Sequence, residues 1–264
     1  MARVLAWAIL PFLAALVWAG IITALLILWL ATGTPHYKQD AAPIVYISDV
    51  GAKYKTLFIV GTATTSALYV GTLLADFILR SLGYLPERRQ RRETIDAVLS
   101  ILFGFLAAAC LTLLAIFDAF NYSSIHWGLT LGFIFSLACS AGFKVAELRR
   151  LRKDHWGIRA LWRSFRIKLV LVTFAIALTI AMIVLMLICT NDESHPDQCD
   201  PQHSAAAVCE WVAAYVTAAY FLSLVADFRV GGYPRAAALE EVRVGPWGQR
   251  DSNITLETRE RQYY

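Results

Sequence analysis

Four ionisable residues stand apart from the bulk of the charge in this chain: Asp49, Asp118, His126 and Glu210, each at the edge of a long apolar run. Tyr46, Ser48 and Trp211 lie beside two of them. An imidazole with a carboxylate neighbour can act as a general base whose tautomer is held by that carboxylate, so these residue types admit a hydrolase or acyltransferase site built on His126. His126 with two carboxylates would also suit a metal. The spacing supports neither reading. There is no H-E-x-x-H and no G-x-S-x-G, and His36, His155, His195 and His203 all fall in polar segments. The same residues also make a hydrogen-bonded cluster that pins the first loop to the fourth and sixth helices. This second reading is preferred, because ionisable groups at a membrane boundary are costly unless paired. No catalytic residue, metal or cofactor is assigned.

A second group is cationic. Lys144, Arg149, Arg150, Arg152, Lys153, Arg159, Arg163, Arg166 and Lys168 surround Trp156, Trp162 and Phe165. Next to a bilayer, such residues attract anionic lipids at about 1 kcal/mol each, with the aromatic rings at headgroup level. A topological requirement for basic inner loops would produce the same pattern without any recognition role. Nucleic acid is not the expected partner, because the charge lies against lipid.

The elements that must position these groups are membrane spans. The chain has 264 residues, 58% of them hydrophobic and 17% charged, with a mean hydropathy of +0.54, which is too apolar for a soluble domain. Its fold class is all-α: a polytopic six-helix bundle with spans at about 4–31, 56–79, 95–117, 125–143, 169–189 and 206–228. Pro11 is placed to kink the first. Gly61, Ala63, Thr64, Thr65, Ser66 and Gly71 make the second an interior member. Gly51 is expected to turn the first loop back toward the lipid through a positive φ. Asp76 and Asp227, near Arg80 and Arg229, read as ion pairs where water reaches the helix ends; the Asp76/Arg80 spacing of four suits one helix face.

Of the 24 Lys and Arg residues, only Lys38, Lys53 and Lys55 lie on the side away from the termini, so the positive-inside rule puts both termini in the cytosol. Residues 231–264 read as a cytosolic, mostly disordered tail. Cys189 and Cys199 bracket an acidic loop and could close it as a disulfide; a Cys199–Cys209 bond and free thiols fit the spacing as well.

Tyr46-Ile47-Ser48-Asp49-Val50-Gly51-Ala52, followed by Leu57-Phe58-Ile59, resembles the signature loop of the DRAM/Frag/Sfk family of six-span membrane proteins. His126, Cys209-Glu210-Trp211 and Asp227 fit the same pattern in the same order, over nearly the whole chain to about residue 230. Lys53-Tyr54-Lys55 stands where many relatives have Pro or Glu, which points to the fungal, Sfk-like branch. The resemblance implies a non-enzymatic plasma-membrane regulator or scaffold of lipid organisation, acting in phosphoinositide kinase function, sterol retention or leaflet asymmetry. Its implied partners are anionic inner-leaflet lipids, phosphoinositides or sterol among them, and a peripheral kinase or adaptor complex. The family also holds participants in lipid-anchor remodelling and autophagy modulators, which makes a secretory-pathway enzyme and a vacuolar or lysosomal protein the alternatives.

Overall fold

Long apolar runs leave the backbone no partner but itself, so each becomes a helix. The structure, a computed structural model, describes residues 2–37, 42–155, 158–190 and 199–229. Along the chain run α1 (Ala2–Trp7), α2 (Ile9–Ala31), α3 (Ile47–Lys53), α4 (Lys55–Ser81), α5 (Arg91–Ile116), α6 (Ser123–Asp154), α7 (Arg159–Thr190) and α8 (Asp200–Arg229), with no strand among the described residues. Six helical stretches are long and apolar enough to cross a membrane, the first formed by α1 and α2 together. The Pro11 effect is local. Its ring cannot tolerate the carbonyl four residues back, and the helix breaks there, between Trp7 and Ile9.

Each span packs on the next, and α8 returns to α2, so the six close into a ring with α4 also touching α8. As its small residues predict, α4 is the interior member: 44% of its apolar window is buried, against 6% for α7, which hangs at the periphery. Gly61 lets α2 come close, since a Cβ there would lie 1.6 Å from Ile21 Cδ1. The α5–α6 contact is locked by a reciprocal pair. Ser100 Oγ donates to the Ser140 carbonyl at 2.9 Å and Ser140 Oγ to the Ser100 carbonyl at 2.7 Å, while Gly104 leaves room for Leu73.

Two expectations change. Gly51 does not turn the chain through a positive φ; it lies inside α3 and is needed because a Cβ would meet the Phe58 ring at 2.7 Å. The fourth and fifth spans also overrun their expected ends by about ten residues, so the segment around 144–168 is largely a helical hairpin rather than a loop. Val145, Leu148 and Leu151 keep α6 amphipathic beyond the apolar run, and Leu148 packs on Ile158 and Leu161. Trp156, most of the acidic 190s loop and the 231–264 tail lie outside the described residues.

Candidate functional site

At the end of the bundle away from the termini, the first loop is held by α8. Glu210 Oε2 accepts the Ile47 backbone N–H at 2.8 Å, and Trp211 Nε1 donates to the Val45 carbonyl at 3.0 Å. Tyr46 Oη lies 3.3 Å from His203 Nδ1, which places His203 in the first turn of α8 rather than in a loop. Asp49 is buried in the first turn of α3, where the helix dipole favours a carboxylate.

The other two members of the expected cluster have separate tasks. Asp118 Oδ2 accepts from Lys55 Nζ at 2.7 Å, and Asp118 Oδ1 takes the Asn121 N–H at 2.8 Å, tying the α5–α6 turn to the start of α4. Burial works to raise the Asp118 pKa, and the Lys55 ammonium and the Asn121 amides outweigh it, holding the carboxyl well below the usual carboxylate range. His126 bonds neither this carboxylate nor Glu210. Its Nδ1 lies 2.9 Å from the Leu114 carbonyl and 2.8 Å from the Phe117 carbonyl. Carbonyls only accept, so Nδ1 carries the proton and the ring satisfies the terminal carbonyls of α5. The catalytic arrangement of a carboxylate-oriented base is therefore not what surrounds His126. Among the described residues no group of three or more His, Cys, Asp or Glu side chains is disposed to hold a metal.

His126 and Glu210 do share one feature. Both line a cavity of about 490 Å³ between α6, α7 and α8, together with Ser48 and Thr130, and apolar side chains form most of its wall.

The opposite, basic end corrects the cationic group. Lys144 is buried, not lipid-facing. It donates to Asp76 Oδ2 and, at 2.9 Å, to Glu147 Oε2. Arg80 Nε contacts both Asp76 oxygens at 3.0 and 3.1 Å, and Arg88 Nε reaches Glu147 Oε1 at 2.7 Å. The Asp76–Arg80 pair is thus part of a dry network joining α4 to α6, not a water-accessible helix end. Lys168 is buried as well: its ammonium meets Asp227 Oδ1 at 3.0 Å, Ser164 Oγ at 2.6 Å and the Ser223 carbonyl at 2.9 Å. Asp227 therefore pairs with Lys168 across α7 and α8 rather than with Arg229 two residues on. Arg150 is half-buried on Asp96, at 2.6 Å.

The remaining cations are on the surface. Arg149, Lys153, Arg159, Arg163 and Arg166 are exposed, as are Arg89, Arg91 and Arg92 between the second and third spans, and Arg152 is half-buried. Arg166 lies over the Trp162 ring at 4.4 Å and Arg152 over Phe165 at 4.7 Å. Asp76, Glu93, Asp96, Glu147 and Asp227 are all buried. The basic end thus hides these carboxylates and shows its arginines.

Sequence reasoning missed Glu147, Ser164, Lys55 and His203. Glu147 was detectable, standing three residues after Lys144 on what proves to be one helix. Lys55 was not, because its partner Asp118 is 63 residues away. Of the expected disulfide, Cys199 is disulfide-bonded while Cys209 is a free thiol, which removes the Cys199–Cys209 pairing. The side chain of Cys189 lies outside the described residues.

Residues 6–230 match the family described as the Frag1/DRAM/Sfk1/Cwh43P N-terminal domain. The chain belongs to this family. It is similar to Protein sfk1 of Schizosaccharomyces pombe, 29% identical over 171 residues that cover 65% of this chain and 52% of that protein. It is also similar to Protein SFK1 of Saccharomyces cerevisiae, 37% identical over 89 residues, or 32% of this chain and 25% of that one. The matched region spans about half the length of the fission-yeast relative and a quarter of the budding-yeast one. No solved structure matches. The protein is a multi-pass membrane protein of this family, with six candidate spans.

Proposed function

We propose that the protein is a non-enzymatic plasma-membrane regulator or scaffold of lipid organisation whose basic end faces the cytosol and engages anionic lipids of the inner leaflet. Phosphoinositides are the ligands of choice, and a peripheral kinase or adaptor complex recruited to the same face is the partner of choice. Phosphoinositide kinase function, sterol retention and leaflet asymmetry are the processes it would serve. The carrying observation is the separation of charge at the basic end. Buried carboxylates neutralise buried cations there, and Arg149, Lys153, Arg159, Arg163 and Arg166 are left to the headgroups. Trp162, exposed beside Arg166, is placed to enter the interface. The His126 surroundings support a structural rather than a catalytic use of that ring, so the enzyme reading is not favoured.

The full chain in nanodiscs, titrated with a short-chain fluorescent phosphatidylinositol phosphate, tests the reading. Replacing Arg159, Arg163 and Arg166 by Gln removes about 3 kcal/mol of attraction, roughly a 100-fold loss of affinity. Unchanged affinity would refute lipid recognition. The orientation is tested separately: Lys153→Cys in intact cells should resist a membrane-impermeant thiol reagent, and labelling from outside would reverse the topology.

A further inference from the structure

The cavity at the other end of the bundle has no part in that cationic surface. We infer that it is a binding site for one membrane lipid with an uncharged, hydroxyl-bearing head, which enters sideways from the bilayer between α6 and α7. This inference stands independently of the anionic-lipid reading.

Three observations on the cavity lead there. The first is its route of entry. Leu131 and Phe135 of α6 and Ile176 and Ile180 of α7 line the cavity and are also 40–63% exposed on the flank of the bundle. A bundle flank at this depth is covered by lipid, so the cavity is filled from the hydrocarbon rather than from water. The second is length. On α8 the lining runs from Glu210 to Tyr220, ten residues or about 15 Å along the helix, which is about half the roughly 30 Å hydrocarbon core. The site therefore accommodates a body one leaflet deep. Its volume of about 490 Å³ falls within the usual range for small-molecule sites.

The third is the chemistry of the mouth. His126 is 6% exposed, its Nδ1–H is used on the α5 carbonyls, and its Nε2 has no hydrogen-bond partner among the described residues. In the neutral ring Nε2 is an acceptor, left available to a donor that enters the cavity His126 lines. A hydroxyl donor supplies what it lacks. No Lys or Arg lines the cavity, and the charge that does is the Glu210 carboxylate. A phosphate head would find no lining cation to neutralise it. The shared chemistry of a sterol and a diacylglycerol, an apolar body ending in a neutral hydroxyl, fits; a phospholipid head does not.

The experiment uses the full chain in nanodiscs carrying photoactivatable, alkyne-tagged sterol, diacylglycerol or phosphatidylcholine, with cross-links mapped by mass spectrometry. Saturable labelling of α6 and α7 peptides by the sterol or the diacylglycerol, competed by the same untagged lipid, is expected; which of the two labels identifies the source. Ala175→Phe, which fills the cavity without touching His126, should reduce that labelling at least tenfold, and Ala138→Phe does the same from the α6 side. His126→Gln keeps a donor for the α5 carbonyls and should lower labelling while the protein remains monodisperse. Equal labelling by phosphatidylcholine, or labelling that survives both filled-cavity variants, overturns the proposal. If neither filled variant is recovered folded, failure of untagged lipid to compete in the unaltered protein overturns it as well.

Discussion

Replacing Asp227 by Ala should loosen the one helix that the rest of the bundle holds least. α7 is almost wholly exposed along its apolar length, and its charged anchor to α8 is Lys168, 0% exposed, paired with Asp227, 1% exposed. Without Asp227 the ammonium keeps only two neutral acceptors, Ser164 Oγ and the Ser223 carbonyl, inside a region that already holds Arg80 and Lys144. Removing one partner of a buried pair costs about 3–5 kcal/mol, because the other charge stays dry and uncompensated; that is at least a roughly 100-fold loss in the folding equilibrium. Lys168→Met with Asp227→Leu removes both charges at similar volume and should return to within about 1 kcal/mol of the original protein. Unfolding in mixed micelles titrated with a denaturing detergent, followed by tryptophan fluorescence, measures both. If Asp227→Ala costs less than about 1 kcal/mol, or the double variant is as unstable as the single one, the pair is not the anchor described here.

Close approach predicts a second outcome. Gly61→Ala should destabilise by about 1–3 kcal/mol through overpacking against Ile21, and Ile21→Ala should rescue it, since the Ile21 Cβ would then be the nearest atom at 3.4 Å. The Asp118 carboxyl sets a pH dependence. Its folded pKa is below the ordinary 3.8, so its contribution is fully present above that value and is lost as pH falls through the lower folded pKa. Hydrogen exchange in the 117–122 turn should stay slow at pH 5 to 7 and accelerate only in stronger acid, whereas Asp118→Asn should abolish that acid step. Non-reducing peptide mapping should recover Cys199 linked to Cys189, with Cys209 open to alkylation in the unfolded protein; a Cys199–Cys209 peptide would contradict the arrangement.

The spans were legible in the sequence because lipid imposes a one-dimensional rule: a stretch of apolar residues this long must be helical wherever it finds itself. The interior place of α4 was legible for a similar reason, since small residues state how closely a neighbour can come. The loop held by Glu210 and Trp211 could be named through family resemblance, but not its bonds. Charge behaved differently. Lys144 and Arg149 look equivalent along the chain, yet one is buried against Asp76 and Glu147 and the other is exposed, because the helical turn of α6 points them in different directions. His126 likewise was expected in a polar cluster with the first loop, and its Nδ1 meets instead the carbonyls that end α5. Residue types and run lengths alone determined that six helices cross a membrane. Which charges stay dry, which face the headgroups, and that a cavity opens between α6 and α7 were decided only when helices distant in sequence came together.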